Sequence, residues 1–509
     1  MSLLSRPSPR LGSIFGVFHA LGRLLVALSA LLCVHIPISL IAGESWTLLG
    51  FVIAGAVSGV TGAALWLVFP RERLDETPAM LLTGLAWITL SLVGSIPFML
   101  ALDASFIDAF FETVSGFTTT GITMFSGLDS MPRTILLWRA LTQWVGGLGI
   151  LTMFLLLIRD SPGAHALMGG EAHKIGAQRP EPGPFTTLRI IAMIYLGLTI
   201  LIVLGLLLGG MSWFDAITHA MTTVSTGGFS THDASIAYYT LEGVGRPRVI
   251  EYVLIVGMLL SGTSFLVHYD LARGRISGLW KRPETRWWWG LLLGAVSLLA
   301  LGQLTRAGAL VGPPELMAAG GSELESGLRT LLFQVAAIAT TTGFGTYDIA
   351  GPYFGASSRL LFLTLMLVGG CVGSTSGGFK VLRITLLAHM MWHQVRKLLL
   401  PRGARTGVVY NGKLVEDDEL ERVAGLLFVW LALLLVGGLV TALLSDHGAL
   451  ASISGMFSAL NNIGPCYIPV DELARLHPAT KLLYIIAMLA GRLEILPIAL
   501  LLVPRAWRR

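Results

Sequence analysis

Ten apolar runs, each long enough or nearly long enough to cross a bilayer, constrain this 509-residue chain more than any other feature. A helix rises about 1.5 Å per residue, so crossing about 30 Å of hydrocarbon takes about 20 apolar residues. The runs lie near residues 14–42, 46–69, 78–100, 133–158, 188–210, 249–271, 287–304, 358–395, 423–444 and 479–503. Charged residues make up 13% of the chain, about half the share of an ordinary soluble domain, and 54% is hydrophobic. A chain this poor in charge cannot cover a soluble globule, which excludes a soluble enzyme, a nucleic-acid binder and a disordered protein. Cys33, Cys371 and Cys466 stand alone, with no spacing suited to zinc, and read as small buried hydrophobes. No cleavage site follows the first apolar run, which is too long for a signal peptide.

Ten spans place both termini on one side. The face carrying them holds 24 Lys and Arg, and the other face holds 8. By the positive-inside rule the termini are cytoplasmic. The same bias accounts for the basic balance of the chain, so no nucleic-acid partner is expected.

Between spans lie four shorter apolar segments, near 104–117, 212–225, 327–340 and 449–461. Each is too short to cross and fits a re-entrant helix dipping in from outside, which is allowed only where its backbone faces protein or a water cavity. A similar loop follows each segment: Thr118-Thr119-Thr120-Gly121, Ser225-Thr226-Gly227-Gly228, Thr340-Thr341-Thr342-Gly343 and Asn461-Asn462-Ile463-Gly464. The glycines Gly121, Gly228, Gly343 and Gly464 recur at 107, 115 and 121 residues. This is a repeat of span, short helix, polar-glycine loop and span. The expected fold is an all-α membrane protein with four such units in a pseudo-fourfold ring around a central pore, plus two extra N-terminal transmembrane helices. The expected boundaries are an N-terminal addition 1–76, then repeats 77–187, 188–286, 287–421 and 422–509.

Glycine permits a positive φ, so successive carbonyls can point toward a common axis. Rings of such oxygens replace the hydration shell of an alkali cation, and short helices aim their negative C-terminal ends at the same place. The ion-holding residues are then Thr119, Thr120, Thr226, Gly227, Thr341, Thr342, Asn462 and Ile463, together with the four glycines. The eighth run contains Gly369-Gly370-Cys371-Val372-Gly373-Ser374-Thr375-Ser376-Gly377-Gly378-Phe379-Lys380, which cannot form a good helix. It follows the third filter loop and lies below it, placed to obstruct the pore. Its glycine spacing imitates a phosphate-binding loop, but Phe379 separates Gly378 from Lys380 and no strand precedes it. Arg492 falls inside the last run. It either projects into the pore as an electrostatic barrier or pairs with a carboxylate of a neighbouring helix.

These residues resemble the Trk/Ktr/HKT superfamily of potassium transporters, most closely its TrkH/TrkG branch. The resemblance rests on Phe110-Phe111-Glu112 before the first filter, on Gly227-Gly228-Phe229-Ser230-Thr231-His232-Asp233-Ala234-Ser235-Ile236, and on Gly369-Gly370-Cys371 with Gly373-Ser374-Thr375. It also rests on Leu460-Asn461-Asn462-Ile463-Gly464-Pro465 and on Gly491-Arg492-Leu493-Glu494. It implies K⁺ uptake by a homodimer in a bacterial inner membrane, K⁺ ions in the filter, no covalent cofactor and a cytoplasmic TrkA-type nucleotide-binding partner. It also implies a gate made of loop 369–378, with Gly373, Ser374, Thr375, Ser376, Gly377, Gly378 and Lys380, together with Arg492. Ser376 and Cys466 stand where the family commonly has glycine. The residues alone leave K⁺ against Na⁺, and passive flux against symport with H⁺ or Na⁺, open. A membrane enzyme using Glu112, His219 or Asp233 lacks a convergent titratable pair, and a secondary transporter of broken helices has two inverted halves rather than four parallel units. Asp103, Asp215 and Asp233 are expected at the outer mouth, where they attract cations.

Overall fold

The computed structural model describes residues 12–72, 74–157, 184–319, 322–401 and 407–508. The loop 159–183 lies outside the described residues. So do Arg6, Arg10, Arg73, Arg159, Lys174, Arg179, Arg402, Arg405 and Arg509 of the positive-face tally.

The helices Gly12–Ile41 and Leu48–Val68 pack as a pair. Small residues let them approach: a side-chain carbon on Gly22 would strike the backbone of Gly62 and Trp66. Hydroxyls complete the contact, Ser29 Oγ donating to Gly55 O at 2.7 Å and Ser58 Oγ to Leu25 O at 2.8 Å. Gly16 lies against Leu74, and Gly84 against Leu501, so the start of the first helix and the last helices share one end of the molecule. At the opposite end Glu44 accepts from the Arg133 and Thr134 amides at 2.7 and 2.9 Å. It thereby neutralises the exposed N–H groups that open the helix Arg133–Leu157.

The other helices form the four units around an axis. The short helices are Phe106–Phe117, Trp213–Val224, Glu323–Ala339 and Ala449–Asn461. Three begin at a serine that accepts the amide three residues on, Ser105 from Asp108, Ser212 from Asp215 and Ser322 from Glu325. The third runs to 17 residues because its Ser322 cap starts it ahead of the apolar pattern.

Of the ten runs, seven form helices long and apolar enough to cross a membrane among the described residues. The other three are broken, and only the interruption in 358–395 was expected. The run 249–271 bends by 102° between Pro247–Ser261 and Phe265–Ala272. At this bend the Gly262 carbonyl accepts from Cys371 N at 3.0 Å, and Phe265 N donates to Gly373 O at 2.9 Å. The helix therefore opens where the glycine-rich loop docks. In the run 358–395, Ala356–Leu367 and Val381–Lys397 flank that loop, whose ends meet as a two-residue parallel bridge, Val368 to Phe379 and Gly369 to Lys380. The last run divides at Glu494, at φ +58°, between Pro478–Leu493 and Ile495–Leu501.

Four of the five buried cations among the described residues pair with carboxylates; Arg492 does not. Arg139 meets Glu112 at 2.8 Å, Arg329 meets both Glu251 and Glu325, Lys481 meets Asp108, and Arg383 meets Glu494 at 2.7 Å. Apart from Arg329–Glu325, which lies within one short helix, each pair ties a short helix or pathway element to a neighbouring span, where an unpaired charge would be costly.

Candidate ion pathway

Each short helix ends the same way. Thr119, Thr226, Thr341 and Asn462 are left-handed, at φ +50°, +53°, +57° and +54°. Two residues later Gly121, Gly228, Gly343 and Gly464 have φ +84°, +74°, +81° and +104°. The glycines were legible in the sequence. The left-handed threonines were not, because a β-branched residue rarely takes that conformation. Only Asn462, a residue tolerant of it, gave a hint.

The loops meet in a closed ring. A side-chain carbon on Gly121 would strike Gly227 O, one on Gly228 would strike Thr342 O, and one on Gly343 would strike Ile463 O. On Gly464 it would lie 3.1 Å from Thr120 O. Each glycine thus faces the carbonyl preceding the next repeat's glycine, and the fourth returns to the first. All twelve expected filter residues belong to this ring or its inner edge. Carbonyl dipoles and the negative ends of four helices converge on this ring, a polarity that attracts cations rather than anions.

Polar side chains behind the ring hold it. Thr118 and Thr120 share a hydroxyl hydrogen bond of 2.7 Å, and Thr340 and Thr342 repeat it at 2.7 Å. Asn462 Nδ2 donates to Thr120 Oγ1 at 2.8 Å and to Met488 O at 3.0 Å. Glu112, fully buried, accepts from Thr123 Oγ1, from Met124 N at 2.9 Å and from Arg139 Nε at 2.8 Å. Arg139 also donates to Ser230 O at 3.0 Å, and its guanidinium carbon lies 4.2 Å from the Phe229 ring centre. Glu112 is therefore a brace joining the first filter loop to the second. The signal for it was an arginine inside a span, which needs a buried partner.

Above the ring, at the end away from the termini, lies a vestibule of about 560 Å³ touched by all four glycines. Of the acids expected at the mouth, only Asp233 lines it, joined by Asp348 and Glu315, which were not foreseen. Asp103 does not line it. Asp215 is spent on Ser212, Thr231 and His232. His232 bonds Asp129 through Nδ1 at 2.5 Å and stacks on Tyr238 at 3.5 Å. Burial pushes the His232 pKa down, but Asp215 and Asp129 outweigh it and raise the group above its ordinary value.

Below the ring the glycine-rich loop packs against the short-helix ends. Gly377 N donates to Thr341 Oγ1 at 2.7 Å, and Thr375 Oγ1 donates to Val224 O at 2.9 Å. Gly377 packs against Asn461 and Asn462, so the loop touches the ends of three short helices. Arg492 Nη1 donates to Thr375 O at 2.6 Å. Among the described residues no carboxylate bonds Arg492; Glu494, two residues on, bonds Arg383 instead. Gly373, Ser374, Ser376, Gly377, Gly378, Lys380 and Arg492 line a chamber of only about 60 Å³, about a tenth of the vestibule. The expected gate residues are thus brought together, directly beneath the expected filter.

The sequence pattern that defines the TrkH cation transport proteins matches residues 50–508. The chain belongs to the TrkH family. It is 33% identical to the Trk system potassium uptake protein TrkH of Halomonas elongata, over 97% of this chain and 99% of that one. To TrkH of Escherichia coli it is 32% identical, over 88% and 90% of the two chains. The crystal structure of the potassium transporter TrkH from Vibrio parahaemolyticus superposes with a TM-score of 0.83 at 30% identity, covering 97% of this chain and 99% of that one. As a TrkH-family chain it is a multi-pass membrane transport protein and not an enzyme.

Proposed function

We propose that the chain takes up K⁺ through the ring of four filter loops. The observation that carries this reading is the closed order in which each glycine faces the next loop's carbonyl, around one axis with a wide vestibule above and a closed chamber below. The names of the relatives supply the ion. The orientation follows the positive-inside count, with both termini in the cytoplasm of a bacterium, the vestibule outside and the chamber inside.

In this reading the loop 369–378 and Arg492 are the gate. The guanidinium sits below the filter with no carboxylate bonded to it among the described residues. A positive charge opposes a cation by about 4 kcal/mol at 4 Å and an effective dielectric of 20, about a thousandfold in rate. Flux then requires the loop and Arg492 to move aside together, because Arg492 holds the loop through Thr375 O. A homodimer and a TrkA-type nucleotide-binding subunit on the cytoplasmic face complete the assembly, and that subunit supplies the displacement. A passive pore suffices for the geometry described, and symport with H⁺ or Na⁺ is the alternative.

Growth tests this reading. A bacterial strain lacking its own K⁺ uptake, supplied with this chain and its partner, should grow on low K⁺. No rescue, with the protein present in the membrane, would overturn it.

A further inference from the structure

The fourfold repeat is broken at one point in the ring, and two departures coincide there. The second filter position holds Thr120, Thr342 and Ile463 in three repeats, but Gly227 in the second. Behind it stands a side chain that also departs from the repeat. The spans after each filter align as Gln143-Trp144-Val145-Gly146-Gly147, Met258-Leu259-Leu260-Ser261-Gly262, Met366-Leu367-Val368-Gly369-Gly370 and Met488-Leu489-Ala490-Gly491-Arg492. Contacts fix this register in the first, second and fourth units, and the third follows by its sequence. Gly146 and Gly491 face the carbonyls of Phe117 and Leu460, each two residues before the left-handed filter residue of its own repeat. Gly147 and Gly262 face Ser225 and Thr340, each one residue before that of the next repeat. Three repeats therefore place a fully buried methionine where the first places a fully buried glutamine.

Gln143 occupies the space that a side chain at position 227 would fill. Its Nε2 donates to Gly227 O at 2.7 Å, and its Oε1 accepts from Phe229 N at 3.0 Å. The amide of Phe229 fixes which end of the carboxamide is which, since only an oxygen can accept from it. Gly227 O is one of the four ring carbonyls, the one facing Gly121. Gly227-Gly228 is also the only pair of adjacent glycines among the four loops, and glycine pairs are the most pliant backbone available.

We propose that Gln143 is a selectivity-determining positioning residue. It clamps the Gly227–Phe229 backbone from behind and holds the Gly227 carbonyl at the ring, in place of the side chain that stiffens the same position in the other repeats. The ring is thus built from three self-supported carbonyls and one borrowed from the neighbouring repeat's span. This rests on the reading of the four loops as a K⁺ filter.

The test uses full-length protein in proteoliposomes, reading the K⁺ to Na⁺ flux ratio and the yield of folded protein. Gln143→Met installs the residue of the other three repeats, matches the volume and removes both hydrogen bonds. It should lower the ratio about tenfold, the effect of roughly one net hydrogen bond at 1.4 kcal/mol per tenfold. Gly227→Thr alone should cripple the protein, because its new side chain overlaps the Gln143 carboxamide. Combined with Gln143→Ala, which clears that space, it returns a side chain to position 227 as in the other three repeats and should restore most of the ratio. A wild-type ratio in Gln143→Met overturns the proposal. So does a double variant no better than Gln143→Ala, even if Gln143→Met fails to fold. Gly121→Ala serves as the control for the filter itself. If it too leaves the ratio unchanged, the filter reading falls and this proposal with it; if it alone lowers the ratio, only the role of Gln143 is lost.

Discussion

Placing a single methyl group on the filter glycines, one at a time, should produce a graded loss of ion discrimination. Each glycine has a positive φ, so alanine costs roughly 1–2 kcal/mol of backbone strain at any of the four. That alone is a factor of about 5–30 in the population of the native loop. At Gly121, Gly228 and Gly343 the added carbon would also come within 3.0 Å of the next repeat's carbonyl oxygen, closer than real side-chain carbons approach, so the carbonyl must leave its place in the ring. At Gly464 the nearest oxygen is 3.1 Å away, and a small adjustment suffices. Gly121→Ala, Gly228→Ala and Gly343→Ala should each lower the K⁺ to Na⁺ flux ratio at least tenfold, and Gly464→Ala by several times less. The assay is paired K⁺ and Na⁺ flux into proteoliposomes, normalised to folded protein. Equal losses at all four positions would show that overlap with the neighbouring carbonyl is irrelevant. Unchanged ratios in the first three would refute the ring.

Other perturbations probe the parts around it. Arg492→Ala should leave yield near normal, since no carboxylate among the described residues depends on Arg492, and should raise basal K⁺ flux up to about a thousandfold without the partner subunit; normal yield with unchanged or lower flux contradicts the gate. Glu112→Ala leaves Arg139 buried and unpaired and should cost about 3–5 kcal/mol, read as a fall in melting temperature, whereas Glu112→Gln keeps an acceptor for the Met124 amide and should lose less. For His232, whose pKa is raised above 6.5, the stabilisation is complete below the unfolded value and is lost as pH rises through the folded value. Its partner Asp129 is lowered, burial raising it but the bond to His232 prevailing, so its share is lost only as pH falls below the usual carboxylate range. The melting-temperature gap between wild type and His232→Gln should thus be widest near pH 5–6 and close toward alkaline pH, by less than about 1 kcal/mol because Asp129 is half exposed. A gap that widens with pH would contradict the assignment.

The sequence showed the repeat because glycine is irreplaceable at a positive φ, and four such positions in matching context leave few alternatives. It singled out Arg492 but left its partner open; only the packed structure sends Glu494 to Arg383 and gives Arg492 the loop carbonyl instead. In the aligned spans Arg492 occupies the position held by Gly147, Gly262 and Gly370, so the repeat register itself marked it as a departure. The breaks at Gly262 and Glu494 were not foreseen, although Ser261-Gly262-Thr263-Ser264 interrupts the first apolar run and Arg492 and Glu494 interrupt the second. What holds those helices open is a long-range contact in the first case and an ion pair in the second, and the partners of those contacts are not legible locally. The vestibule acids were half legible. Asp215 follows a serine cap as helix-start chemistry demands, and its side chain is consumed there, while Asp348 reaches the mouth through a loop with no periodicity to read. Gln143 was invisible as a functional residue until the spans could be aligned on contacts.

The central claim is that four loops form one ring that prefers K⁺. Radioactive Rb⁺ uptake into proteoliposomes containing the purified protein, competed separately by K⁺, Na⁺ and Li⁺, tests it most directly. The ring of carbonyls predicts that K⁺ competes at far lower concentration than Na⁺, and Na⁺ no worse than Li⁺. Equal competition by the three ions, or uptake that none of them reduces, would contradict it.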